Sequence, residues 1–182
     1  MPTSPRVVFA AFGSKDEPML LSWTRFRDVV ESADALGPRR QPVPRSTPPR
    51  AADTAGMQAS AKTGVWRVLA SNNRELGRSS QTYPSFDVAR AHVVTLQTSV
   101  DDLVVTPVVS PQPGLFGWLL EHEGVPVITC GRWYAASSSR ETVISTVAAL
   151  KVAVITEAPR TVLDPLRRST GRRLDRAAVA PW

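Results

Sequence analysis

One cysteine, Cys130, and two histidines, His92 and His122, are all that 182 residues offer for soft-metal or redox chemistry. A lone cysteine closes no internal disulfide and gives no sign of an oxidising compartment. No His-x-His, His-Glu-x-x-His or Cys-x-x-Cys spacing occurs, so no zinc or other metal site is expected. Gly-x-Gly-x-x-Gly, phosphate-loop and Gly-x-Ser-x-Gly patterns are also missing, which removes the usual dinucleotide, nucleotide and serine-hydrolase readings and leaves no cofactor expected. The longest apolar-leaning run, near Leu150–Ile155, is far short of the ~20 residues that span a bilayer. Met1–Arg6 carries no basic end followed by a long apolar stretch, so no secretory signal is expected. These absences point to a cytoplasmic protein with no membrane partner.

A net charge of +6 looks like a nucleic-acid signal until it is placed. Residues 1–62 hold nine basic and six acidic side chains, residues 63–156 seven of each, and residues 157–182 six and three. The excess therefore lies in the flanks, where it attracts polyanions without forming a shaped groove. Of the basic residues 19 are Arg and 3 Lys.

The organisation expected is α+β, with flexible flanks. In residues 1–36, Arg6–Phe12 and Met19–Trp23 read as two strands around a Gly13–Pro18 turn. Phe26, Val29, Val30, Ala33 and Leu36 then give a helical stripe closed by Gly37-Pro38. This is either a degenerate copy of the central unit described next or an unrelated small ββα piece. Residues 37–62 form a Pro/Arg-rich linker that lacks apolar side chains to bury. Met57, within it, is an alternative start that would make the first 56 residues optional.

Residues 63–110 read as a strand at Val65–Ala70, a polar turn at Ser71–Arg74 and a strand at Glu75–Ser80. A helix N-capped by Ser85 and a strand at Leu103–Val109 complete the unit. Residues 111–156 read the same way: strands at Phe116–Glu121 and Pro126–Cys130, a Glu123-Gly124 turn, a helix at Ser138–Leu150 and a strand at Val152–Ile155. Ser138 to Glu141 has the spacing of a capping box. A gapless offset of 51 matches Val65 with Phe116, Val68 with Leu119, Leu76 with Val127, Tyr83 with Tyr134, Val93 with Ile144 and Leu96 with Val147. One pair conflicts, because Ala89 falls on Arg140. Two tandem strand-strand-helix-strand repeats are expected to share one antiparallel sheet with helices on one face. A single unit of about fifty residues is marginal alone. Residues 157–182 read as a mobile basic tail.

The stretch Trp66–Ser85 resembles the YegP-like family of small uncharacterised proteins. The matches are Leu69, Asn73, Glu75, Ser80, Tyr83, Ser85 and Ala89; Leu120, Gly124 and Tyr134 carry the second copy. Arg74 stands where the family has a turn glycine, and Gly131, Ala136 and Arg140 depart from the pattern. The resemblance implies tandem repeats and no known activity. Read from the residues alone, these positions are structural. Asn73 suits a positive-φ turn, Ser80 and Ser85 satisfy backbone groups, and Tyr83 packs its ring while its hydroxyl finds a partner.

No catalytic residue is expected. Asp101-Asp102 read as a solvated turn and Cys130 as a half-buried strand thiol. The binding candidates are Trp66, Trp118, Arg132 and Trp133, as aromatics beside arginine that suit core packing or base stacking. Arg167, Arg168, Arg172 and Arg173 in the tail are candidates for phosphate contacts. The leading expectation is a non-enzymatic binding or scaffold module that meets a partner protein or itself through a sheet face or edge. The alternative is a nucleic-acid-associated protein that uses its Arg-rich linker and tail.

Overall fold

The computed structural model describes residues 4–36 and 63–161, so the expected linker and most of the tail lie outside the described residues. β1 (Arg6–Phe12) is followed by α1 (Pro18–Ser32). β2 (Thr63–Leu69), β3 (Glu75–Ser79) and α2 (Phe86–Thr98) come next. A 3₁₀ turn at Val100–Asp102 leads into β4 (Val104–Val109). The second half contains β5 (Phe116–His122), β6 (Val125–Thr129), α3 (Ala136–Val152) and β7 (Val154–Ile155); β8 (Arg160–Thr161) closes the described chain. The fold is α+β, with one mostly antiparallel sheet in the order β4-β5-β6-β3-β2-β1-β7; β8 also pairs with β1. None of the described helices is long and apolar enough to cross a membrane.

The N-terminal segment is βα, not ββα. Met19–Trp23 lies in α1, whose first turn holds Pro18, where a missing N–H costs nothing and a fixed φ favours the helix. Leu20, Trp23 and Val30 are its buried positions and Phe26 packs against the core, a spacing of three and four. The stripe read from sequence began too late and ran too far, since Val29 and Leu36 are exposed.

This segment is part of the sheet. β1 pairs antiparallel with β2 over its whole length, from Arg6 opposite Leu69 to Phe12 opposite Thr63. On its other side it pairs in parallel with β7 and then β8. The strand after α3 therefore does not reach β2, because β1 lies between them.

Helices occupy both faces of the sheet. Neighbouring residues of one strand point to opposite faces. A Cβ at Gly77 would come within 3.1 Å of Thr146 on α3, whereas the Arg78 guanidinium lies 4.6 Å from the Trp23 ring of α1. α1 and α3 thus flank the sheet from opposite sides, while the helices of the two central halves share one face, as expected. α2 shares the α3 side: Phe9 of β1 meets Phe86 of α2 edge-on at 4.9 Å. Gln97 ties the two helices, donating to the Leu150 and Ala153 carbonyls at 2.9 Å each. It thereby satisfies acceptors that the end of α3 leaves open.

The two halves follow the same local rules with a drifting offset. Gly64 and Tyr83 exchange two backbone hydrogen bonds of 2.8 Å, and Phe116 and Tyr134 exchange two of 2.8 and 2.9 Å. Both hairpins carry an irregularity at the equivalent place, after Val68 and after Leu120. Trp66 and Trp118 are both fully buried. In these first strands the offset is 52, so Phe116 corresponds to Gly64 rather than to Val65. Asn73 and Gly124, both at positive φ, are 51 apart.

In the helices the offset falls to 50. The buried positions Ala89, Val93, Leu96 and Val100 correspond to Ser139, Val143, Thr146 and Leu150. In burial Ala89 is matched by Ser139 and not by Arg140, which is exposed, as Ile144 is at 63 %. The second helix begins two residues after its tyrosine, the first three. Ser138 accordingly lies inside the first turn of α3, and the capping box expected there does not form; the N-cap is Ala135, with no side-chain hydrogen bond.

Candidate functional site

The aromatic candidates divide sharply. Trp66 and Trp118 are 0 and 1 % exposed and closed to any base, so they are core residues. The Trp118 indole N–H is buried without a hydrogen-bond partner among the described residues, whereas that of Trp66 faces the Tyr83 hydroxyl. Trp133 is half-buried, with its ring centroid 5.7 Å from that of Phe26. Arg132 is exposed and its guanidinium lies 5.2 Å above the Tyr134 ring. Leu120 and Ala89 are core positions and Leu69 is half-buried. Asn73 and Gly124 turn the two hairpins.

Ser85 caps α2 by accepting from the Val88 N–H at 3.3 Å. Ser80, expected to serve the backbone, instead donates its hydroxyl to Glu31 of α1. The neighbouring Ser79 takes the backbone role, accepting from the Trp66 N–H at 3.2 Å. Cys130 is fully buried, and burial pushes its thiol up to about 11, away from reactive thiolate.

The surface that brings several candidates together is a polar groove between the β2–β3 turn and the start of α3. It consists of two adjoining cavities of about 360 and 230 Å³, both lined by Arg74, Arg132 and Tyr134. The first continues along Trp133, Ser138, Glu141 and Ser145; the second reaches Glu75, Arg78 and Gly131. The arginines differ in state. Arg78 is held by the Glu75 carboxylate, at 2.7 Å through Nε and 2.5 Å through Nη2, and stacks on Trp23. Glu75 also meets Arg67 at 3.4 Å. Gly131 makes this possible, since a Cβ there would fall 2.6 Å from the Glu75 carboxylate.

Arg74 and Arg132 are exposed, and neither is in an ion pair among the described residues. Between them and Ser138 lies the uncapped N-terminus of α3, whose first N–H groups have no intrahelical acceptor. Two guanidinium forks outside any ion pair among the described residues, serine hydroxyls and amide donors make a surface suited to carboxylate or phosphate oxygens. Glu141 at the far end sets a limit to how far an anionic ligand extends. Among the described residues no group of three or more His, Cys, Asp or Glu side chains is placed to hold a metal.

Away from the groove, the Tyr83 hydroxyl lies 2.5 Å from His92 Nδ1. Burial raises the tyrosine above its ordinary range and lowers the proton affinity of His92, with His122 adding to the effect. The unfolded chain, with His92 near its usual ~6.5, then binds the proton more readily than the folded one. Stability is fully present above that value and declines as pH falls towards the lowered folded value. Urea midpoints measured from pH 7.5 to 5.5 should fall in the wild type and fall less in His92→Gln. Equal slopes would assign the dependence elsewhere.

Comparison with protein-family models, with curated proteins and with solved structures matches nothing to this chain. Sequence reading named Arg132 and Trp133 but missed Arg74 as a binding residue, noting it only as a departure from a turn glycine. Ser138 was assigned to a cap, and Ser145 carried no signal. Arg167, Arg168, Arg172 and Arg173 lie outside the described residues.

Proposed function

We propose that this chain is a non-enzymatic binding module of the YegP-like type, built from two matched units, whose groove at Arg74 and Arg132 takes an acidic segment of a partner protein. The observation that carries the reading is the pair of exposed, unpaired arginines converging on the open start of α3. Arg78 and Arg67, by contrast, are balanced by Glu75. The matched hairpin bridges, the equivalent tryptophans and the motif residues Asn73, Glu75, Tyr83 and Ser85 support the family reading.

Helices on both sides of the sheet favour the groove over a sheet face as the contact surface. The β4 edge is closed over its second half, where Leu36 donates to the Pro107 carbonyl at 2.8 Å and Val109 to that of Asp34 at 2.9 Å. Stacking of bases also loses support: Trp66 and Trp118 are core, and Tyr134 is buried under Arg132.

Anisotropy of a labelled glutamate-rich peptide, run beside single-stranded DNA of similar length, tests this. Arg74→Ala/Arg132→Ala should weaken peptide binding by about tenfold or more, since charge-assisted hydrogen bonds contribute roughly 1.5–3 kcal/mol each. Peptide binding that ignores the double variant would remove the groove. DNA bound more tightly than peptide, and equally by both forms, would transfer function to the arginine-rich flanks.

A further inference from the structure

A separate cavity, of about 340 Å³, lies where β1 and β2 meet the start of α2. It has a sequence cause. Phe9 points towards α2, where it meets Phe86; Ala11, two residues on, shares that face, and its cross-strand partner is Gly64. Small residues therefore stand where the corresponding bridge of the second half has Phe116. Phe9 and Phe86 meet at the inner wall, Pro84 and Pro159 line the sides, and none of the described residues that line the space has an ionisable side chain.

One polar handle is present. Ser85 Oγ accepts from the Val88 N–H, so its own proton is free to donate, and no acceptor for it occurs among the described residues. Apolar walls with a single convergent donor, at the lower end of the volume range of small-molecule pockets, define a ligand site rather than a packing flaw. We infer that this pocket binds a neutral, ring-containing small molecule carrying one hydrogen-bond acceptor that meets Ser85. The uncharged, mostly apolar lining among the described residues favours a neutral ligand, and the volume matches a two- or three-ring compound rather than a partner helix.

6-Propionyl-2-(dimethylamino)naphthalene, neutral, two-ringed, carrying one ketone acceptor and brightly fluorescent in apolar surroundings, is the probe. The full chain should bind it saturably at one site. Gly64→Phe, which installs the residue type found at the equivalent bridge, should weaken binding at least tenfold while the protein keeps a cooperative melt. Gly64→Ala should leave it within about twofold, because a Cβ there meets only ordinary contacts at 3.6 and 3.7 Å. A folded Gly64→Phe that binds as well as wild type overturns the assignment. So does a wild type that binds no probe, including one whose pocket is closed by a second copy of the chain in sedimentation. If Gly64→Phe fails to fold, amide shifts in the wild type decide. Changes centred on Gly64, Ser85 and Phe86 support the site, and changes centred elsewhere refute it.

Discussion

A chain begun at Met57 is expected not to fold. It lacks β1 and α1, and the loss is larger than a trimmed terminus. β1 supplies the only partner of β7 and β8 in the described sheet and covers the outer side of β2 from end to end. Its removal strands the backbone donors and acceptors of three strands. α1 covers the face that carries Arg78. Val7, Phe9, Phe12, Leu20, Trp23 and Val30 are all buried, and each contributes roughly 1.5–3 kcal/mol by leaving water. Their sum matches or exceeds the ~5–15 kcal/mol by which a domain is stable at all. The truncated chain should show weak near-ultraviolet circular dichroism, collapsed amide dispersion and no cooperative urea transition. A sharp transition with native-like near-ultraviolet signal would mean that residues 63–161 hold their core without the N-terminal segment.

The second large effect concerns the paired tryptophans. Trp118→Ala should cost about 3–5 kcal/mol, the usual range for emptying a large aromatic site. Relaxation is limited there, because the ring packs against Gly77, where even a methyl group would sit 2.9 Å from it. Trp118→Phe should cost under about 1.5 kcal/mol. It gives up some apolar area but removes a buried N–H with no acceptor, a group whose burial costs roughly 1–3 kcal/mol. Urea midpoints of the two variants measure the contrast. A phenylalanine variant as damaged as its alanine counterpart would show that the indole N–H is satisfied in solution, against the unpaired state described above.

Legibility from sequence followed the range of the interactions. The hairpins were readable because their signals are local. Asn73 and Gly124 take the positive φ that such turns require, and alternation marks the strands between them. The same locality explains the errors. Met19–Trp23 is apolar enough for a strand, and only Pro18 at its head and the recurrence at Leu20, Trp23 and Phe26 mark a helix. The gapless comparison of the halves failed by one residue in each direction, since one turn is shorter and one helix starts sooner. Neither length change alters the chemistry of the residues involved.

The groove was half legible. Arg132 and Trp133 stood out as an aromatic–basic pair, but Arg74 lies about sixty positions away and is brought beside them only by the β3–β6 pairing. Among the described residues, the apolar pocket had no sequence signal, because a missing side chain at Gly64 is meaningful only beside Phe9 and Phe86.

By itself the sequence determined the α+β class, the turns, the strand–strand–helix order of the two central halves and the neutrality of the central residues, all of which depend on side-chain periodicity and backbone preference within a dozen residues. Tertiary structure alone decided that β1 enters between β2 and β7, that helices take both faces, and which arginines remain unpaired. Those outcomes depend on which apolar faces bury one another across the whole chain. Burial is non-directional, so its partners are chosen by global packing rather than by any local pattern.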